Sequence, residues 1–182
     1  MNLKVTANAI GLIQRMVYAS VCLALCMVLP FLTGQIPQFG GMLCPMHIPV
    51  LLAGFLCGSG WAAAVGLAAP ALRYLLFGMP PLLPVGFAMT FELVAYGVVA
   101  GLLYRALPKK NGSVYAALVG AMLAGRAVWG AAAKIIYGAM GMEFTWEIFL
   151  AGAFLEAIPG IVLQIVLIPV LVMALKRAKV MD

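Results

Sequence analysis

Residues Gly40–Pro84 read GGMLCPMHIPVLLAGFLCGSGWAAAVGLAAPALRYLLFGMPPLLP. The stretch holds two short apolar segments joined by the small turn Gly58-Ser59-Gly60. Pro45 and Pro49 bracket its entrance, and Pro80, Pro81 and Pro84 its exit. His47, the only histidine of the chain, stands at the entrance, and Arg73 lies near the exit. As a helix, Met46–Cys57 is about 18 Å long at about 1.5 Å per residue. That is too short to cross a hydrocarbon core of about 30 Å alone. Short, proline-bounded segments of a membrane chain belong where irregular backbone is sheltered by protein or lines a cavity. The stretch is expected to form one wall of a binding cavity.

The rest of the chain fits a membrane setting. Hydrophobic residues make up 66% and charged residues 9%, with mean hydropathy +1.15. Such a composition excludes an ordinary soluble domain. Apolar runs recur throughout, so the expected architecture is all-α: a compact bundle of six transmembrane helices in one integral membrane domain over residues 1–182, with both termini cytoplasmic. No GxxxxGK[ST] loop occurs, so ATP binding by that device is not expected here. Lys4 and Arg15 precede the run Met16–Leu32, but no small-x-small cleavage site leads into a soluble sequence, so the run reads as a spanning helix. The net charge of +6 gathers at Lys4 and Arg15, at Arg105, Lys109 and Lys110, and at Lys176, Arg177 and Lys179. These are alternate segment ends, which is the positive-inside pattern rather than a nucleic-acid surface. Cys22, Cys26, Cys44 and Cys57 form no CxxC pair, and buried small apolar side chains are the expectation for them.

In order, segment one covers Leu12–Leu32 and carries Ser20-x-x-x-Ala24, a small-residue stripe that lets another helix approach. That stripe serves either packing within the chain or docking on a partner. An outer loop, Thr33–Cys44, with Gln35 and Gln38, suits a cover over a cavity. Segments two to six are expected at Met46–Cys57, Trp61–Phe77 (kinked at Pro70), Leu83–Tyr104, Val114–Tyr137 and Trp146–Leu175. No internal repeat is evident, which weighs against an inverted-repeat transporter.

Ionisable groups inside a membrane are costly and are functional candidates by default. Here they are His47, Arg73, Glu92, Arg126, Lys134 and Glu156. Arg126, Trp129, Lys134 and Tyr137 fall within about 140° of one helix surface at 100° per residue. Glu92 and Tyr96 share a face, as do Glu156 and Gly160, with Gln164 one turn further. With His47 and Arg73 they make a polar and aromatic lining for an outward-facing small-molecule site. The plainer alternative is that Arg126 pairs with Glu92 or Glu156 only to neutralise buried charge. Three cations against two carboxylates leave one positive charge, which a ligand carboxylate would match, unless Lys134 and Arg73 snorkel. His47 with Cys44, Met42 and Met46 offers soft ligands to a transition metal, but a lone histidine at a helix entrance is more often a hydrogen-bonded anchor, and no metal is assigned. No nucleophile–base pair, HExxH or GxSxG is present, so no catalytic residue is assigned and an enzyme is not expected.

At this point the chain resembles the substrate-binding S component of an energy-coupling factor (ECF) vitamin transporter. The resemblance rests on six compact segments, on Ser20-x-x-x-Ala24, on Met46-His47-Ile48-Pro49-Val50 followed by Gly54-x-x-x-Gly58, and on Leu76-Phe77-Gly78-Met79-Pro80. The HIPV element is similar to the pantothenate-type and related branches. The resemblance implies a multi-pass protein of a prokaryotic plasma membrane. Such a protein captures a water-soluble vitamin or precursor in an outward-facing cavity and docks on a transmembrane coupling protein driven by two ATPase subunits. It then topples to release its cargo inward. ATP is then hydrolysed by the partners, and no cofactor belongs to this chain. The family's small-residue docking motif carries over to Ser20 and Ala24, with Ser where Ala is usual. Its binding regions select Glu92, Tyr96, Arg126, Trp129, Lys134 and Glu156.

The unmatched positive charge favours a carboxylate vitamin such as pantothenate. The alternatives are a pyridoxine- or hydroxymethylpyrimidine-like ligand held by Glu92 and Glu156, an S component for a metal, a stand-alone ion-coupled secondary transporter using Glu92 or Glu156, and a membrane enzyme.

Overall fold

A short, almost wholly buried helix stands inside the bundle. Helix α2, His47–Cys57, is 11 residues long, about 16 Å at 1.5 Å per residue. Pro49 falls in its first turn, where an N–H would have no intrahelical partner anyway. Gly58, with φ 87°, ends it. That positive φ favours glycine, and α3, Ser59–Phe77, starts at the next residue. The expected three-residue turn is therefore a one-residue break, with Ser59 and Gly60 already helical. Pro70 is buried within α3, which continues through it to Phe77.

The computed structural model describes residues 3–33, 42–108 and 110–181. Most of the loop expected over the cavity, including Gln35 and Gln38, lies outside these residues, as does Lys109. Helix α1, Leu3–Val28, runs into a 3-10 turn, Leu29–Thr33. After α2 and α3, a π-helical turn at Leu82–Gly86 leads into α4, Phe87–Ala106. Helix α5 covers Asn111–Ala139. The short α6, Trp146–Leu150, is capped by Thr145, whose Oγ1 accepts from the Ile148 N–H at 3.3 Å. A second π-helical turn, Ala151–Leu155, precedes α7, Ile158–Arg177. The last expected segment is thus interrupted. Its wide turn is closed by the Glu156 N–H bonding to Ala151 O at 2.9 Å, and Pro159 occupies the first turn of the new helix. Among the described residues there is no strand. Five stretches are long and apolar enough to span a bilayer: Gly11–Leu32, Ser59–Phe77, Leu82–Ala106, Asn111–Ala139 and Trp146–Arg177, with α2 as a shorter sixth apolar helix.

Helix α4 is the hub, packing most extensively against α5, α3 and α2. Small residues make this possible. A Cβ on Gly97 would lie 2.8 Å from the Ala62 Cβ, and one on Gly101 2.6 Å from the Ser59 nitrogen. From the other side, a Cβ on Gly54 would lie 2.8 Å from Gly97 O, and one on Gly66 2.8 Å from the Leu93 carbonyl carbon. Without a hydrophobic drive between helices in lipid, backbone approach and dispersion contacts hold them together. Gly97-x-x-x-Gly101 therefore receives the α2–α3 hairpin. Helix α7 sits against α5 and α2 over a smaller area.

Gly97→Ala should lower the unfolding temperature in detergent, by the equivalent of about 1–3 kcal/mol of overpacking. Gly11→Ala, in a helix position with open space around it, should leave it unchanged or raise it. Equal effects from the two would show that the Gly97 contact is not tight.

Candidate functional site

The only buried carboxylate among the described residues, Glu92, gathers the site. It lies on α4 and is 2% exposed. Arg126, from α5, brings Nη1 to 2.9 Å from Glu92 Oε1. His47, from the first turn of α2, brings Nε2 to 3.3 Å from Glu92 Oε2. Three helices thus converge through one carboxylate. A charge pair at this depth is costly to desolvate and is held by mutual attraction in a low-dielectric interior. Glu156, the other carboxylate weighed for Arg126, is exposed beyond the second π-helical turn. The pairing left open by sequence is with Glu92.

Around this core stand polar groups with incomplete partners. Tyr96, one turn below Glu92, sets its ring edge-on to His47 with centroids 5.1 Å apart. Its ring fits because residue 125 is glycine; a Cβ there would lie 2.6 Å from the Tyr96 Cδ2. Arg126 Nη2 also donates to Cys44 Sγ at 3.7 Å. Cys44 adopts φ 47°, a region costly for a residue with a Cβ, and its carbonyl accepts the His47 N–H at 3.0 Å. Backbone held in such a conformation clusters at functional sites. Tyr96 Oη, Arg126 Nε, His47 Nδ1 and both amide atoms of Gln164 are buried without a hydrogen-bond partner among the described residues. Native proteins leave few such groups.

A cavity of about 130 Å³ reaches this cluster between α5 and α7. Tyr96 and Arg126 border it with the apolar parts of their side chains, and Met122, Phe154, Ile161 and Ile165 form the rest of its walls. Sequence reasoning did not select these four. Met122 was accessible in principle, one turn before Arg126 on the same helix face. Phe154 was not, because it projects from the π-helical turn that breaks the expected last segment.

The other expected site residues lie elsewhere. Arg73 is buried at the far end of α3, where Nη1 donates to Met27 O at 2.6 Å in the last turn of α1. Its guanidinium also packs over Phe31 and Phe77, at 5.3 and 5.1 Å from their centroids. It fastens α1 to α3, a favourable place for a cation at a helix C-terminus. Lys134 is exposed. Trp129 is half-buried in an aromatic row, 5.8 Å from Phe144 and 6.1 Å from Phe149, and Phe149 meets Phe154 at 6.2 Å. Trp129 thus reaches the cavity wall only through other rings. Ser20 and Ala24 are exposed on α1, in a shallow groove with Ile13, Met16, Val17 and Val21. The Ser20 hydroxyl donates to Met16 O at 2.9 Å, so it presents little polarity outward. Among the described residues no three His, Cys, Asp or Glu side chains gather as metal ligands.

The family model described as "ECF transporter, substrate-specific component" matches residues 14–172. No curated protein matches the chain, and no solved structure does.

Glu92→Gln should destabilise the protein by about 3–5 kcal/mol, because it strands the Arg126 charge in the interior. Adding Arg126→Met should restore much of that loss, read as the unfolding temperature of the double variant above that of the single one. A double variant no more stable than Glu92→Gln would mean that the pair is not coupled.

Proposed function

Because the chain belongs to the substrate-specific component family of ECF transporters, we propose that it captures a small water-soluble vitamin or precursor at the Glu92 cluster and passes it inward. The observation that carries this reading is the buried Glu92–Arg126–His47 group beside unpartnered polar atoms and a cavity. A mostly apolar pocket with a few convergent polar groups is the form a small-molecule site takes. Tyr96 and Arg126 contact the ligand. Glu92 and His47 set the orientation and charge of Arg126, and Trp129 belongs to the aromatic approach.

In this reading the protein lies in a prokaryotic plasma membrane with both termini inside and six passes, α2 being the short one. Basic residues at alternate ends support that orientation. The exposed Ser20–Ala24 groove docks on a transmembrane coupling protein, which two ATPase subunits drive, and the substrate-binding protein topples to release its cargo. The ATPase partners perform all hydrolysis.

The case for a carboxylate vitamin such as pantothenate rested on an excess of cations at the site. Arg73 is engaged with the end of α1 and Lys134 is exposed, so that excess is absent from the cluster. A pyridoxine- or hydroxymethylpyrimidine-like compound is then the better fit, with Glu92 and Arg126 already matched.

Purified protein, denatured and analysed by mass spectrometry, should release a small vitamin-like molecule in near-stoichiometric amount. Reconstituted alone in liposomes, the protein should bind this molecule without accumulating it under an ion gradient. Accumulation without ATPase partners would instead mean a secondary transporter, and chemical conversion of the ligand an enzyme.

Two substitutions divide the chain. Tyr96→Phe should weaken ligand binding about tenfold, the size of one lost hydrogen bond, with capture of the coupling module intact. Ala24→Leu should abolish module capture with ligand binding intact. Loss of the same property in both would show that cavity and docking face are not separate.

A further inference from the structure

We propose that the cavity between α5 and α7 holds one acyl chain of an anionic phospholipid, whose phosphate lies against the cations at the basic end of the bundle. The vitamin of the Glu92 cluster and this chain meet different faces of the same residues. Arg126 turns its charged end to Glu92 at 2.9 Å, while Tyr96 and Arg126 give the cavity only the apolar parts of their side chains.

The cavity has the chemistry of the lipid side of a membrane. Its surface is wholly apolar, and Met122, Phe154, Ile161 and Ile165 make up most of it. It measures about 130 Å³, close to the apolar cavities of about 150 Å³ that stay dry and take up hydrocarbon. Such a lining offers water no hydrogen-bond partner, and left empty it forfeits dispersion contacts. The mouth is formed by Val119 and Leu123, both exposed on the outside of α5. Tyr115, also exposed, stands one turn before Val119. At four-residue spacing these three share a face, an apolar line that runs from the start of α5 to the mouth. In a bilayer that line is bathed in acyl chains, which are as apolar as the side chains themselves.

The headgroup end follows from charge. Lys110 stands just before α5, Arg105 at the end of α4, and Lys176, Arg177 and Lys179 at or just after the end of α7. Lys176 Nζ lies over the Tyr104 ring, 5.1 Å from its centroid, which joins the end of α7 to that of α4. The tail turns back there, with the Val180 N–H donating to Leu175 O at 3.0 Å, and Leu107, Leu175 and Met181 pack against one buried cluster. The described carboxylates lie elsewhere: Glu92 in the interior, and Glu143, Glu147 and Glu156 between the far end of α5 and the start of α7. Cations so gathered repel one another, and basic sites between spanning helices at a membrane face bind anionic headgroups.

Depth ties the two ends together. Val119 is nine residues along α5 from Lys110, about 14 Å at about 1.5 Å per residue. Ile165 is eleven residues along α7 from Lys176, about 17 Å by the same rise. One leaflet of hydrocarbon is about 15 Å deep, half of about 30 Å. Two antiparallel helices thus set the cavity at the same height, one leaflet away from the cations. A lipid whose phosphate meets Lys110 and Lys176 has the end of its chain at the cavity.

The test is photolabelling in a membrane. Full-length protein in phosphatidylcholine vesicles receives a trace of phosphatidylglycerol or of phosphatidylcholine, each carrying the same diazirine near the end of one acyl chain, and labelled positions are mapped by tandem mass spectrometry. Met122 is buried, so a label there reports a chain inside the cavity. Phosphatidylglycerol should label Met122 at least about fivefold more than phosphatidylcholine does, the effect of one engaged cation. Leu67, exposed on α3 and no part of the cavity, should take equal label from both. Val119→Phe, at the mouth, should remove most of the Met122 label and spare that on Leu67. Lys110→Gln combined with Lys176→Gln should erase the headgroup preference. Absence of label at Met122 in the unaltered protein overturns the acyl-chain assignment. Equal labelling of Met122 by the two lipids overturns the role of the cations and leaves that end of the bundle to an acidic protein partner.

Discussion

A single carboxylate holds three helices to one another. Glu92 draws Arg126 from α5 and His47 from α2 onto the middle of α4. In a bilayer this is a demanding arrangement, because each charge must leave water and find its counterpart with no solvent to correct an error. The geometry that results is narrow. Residue 125 must be glycine for the Tyr96 ring to sit beside the pair, and residue 44 must adopt a left-handed conformation while its sulfur meets Arg126. Atoms left unpartnered around the pair are the remainder of that constraint: the charges are matched, while Tyr96 Oη and Arg126 Nε stay buried without a hydrogen-bond partner among the described residues.

Such a site needs a rigid frame on one side and room on the other. Gly54, Gly66, Gly97 and Gly101 supply the frame by letting α2, α3 and α4 meet at backbone distance. Interfaces of this kind are close-packed and transmit displacement rather than absorb it. On the other side α7 follows a π-helical turn and covers α5 over a smaller area. The cavity lies along that seam. The division follows from sequence: α3 and α4 present glycine and alanine at helical spacing, whereas the facing parts of α5 and α7 present Met122, Ile161 and Ile165, which hold the backbones apart.

Much of this was legible before any coordinates. Apolar runs and charge placement anticipated the four middle helices within a few residues, though α1 begins nine residues before its expected start, and intramembrane ionisable groups pointed to Glu92, Arg126 and His47, because hydrophobic periodicity and the cost of buried charge act locally. Arg73 and Lys134 looked equivalent to Arg126 by the same criterion. Arg73 instead meets the carbonyl of Met27, 46 positions away in sequence, and nothing local announces such a partner. The break at Ala151–Leu155 was missed because its residues, Ala-Gly-Ala-Phe-Leu, are ordinary for a helix in lipid. Within that turn Gly152 faces the Trp129 ring, 3.0 Å from where its Cβ would lie, a tertiary contact that the local sequence does not announce. Gly97-x-x-x-Gly101 was visible in the sequence but carried no charge to draw notice.

The exposed groove of α1 and the cavity between α5 and α7 have little direct contact, since α1 packs chiefly on α2 and α3. Any energetic link between the two faces needs a physical element that both can bias. Helix α2 meets that requirement. It packs against α1 on one side and against α4 and α7 on the other; Cys26 of α1 donates to the carbonyl of Met46 just before it, at 3.6 Å; and its first residue is His47, in contact with Glu92 and Tyr96. It is also the shortest of the apolar helices that pack on α4, delimited by Pro49 at one end and the single-residue break at Gly58 at the other. A half-length helix can shift as a unit with fewer backbone hydrogen bonds at stake than a full span. The stretch with which the sequence reading began lines none of the cavity between α5 and α7, against the expectation that it would form a wall; its helix α2 instead links α1 to the Glu92 cluster through its packing and through His47.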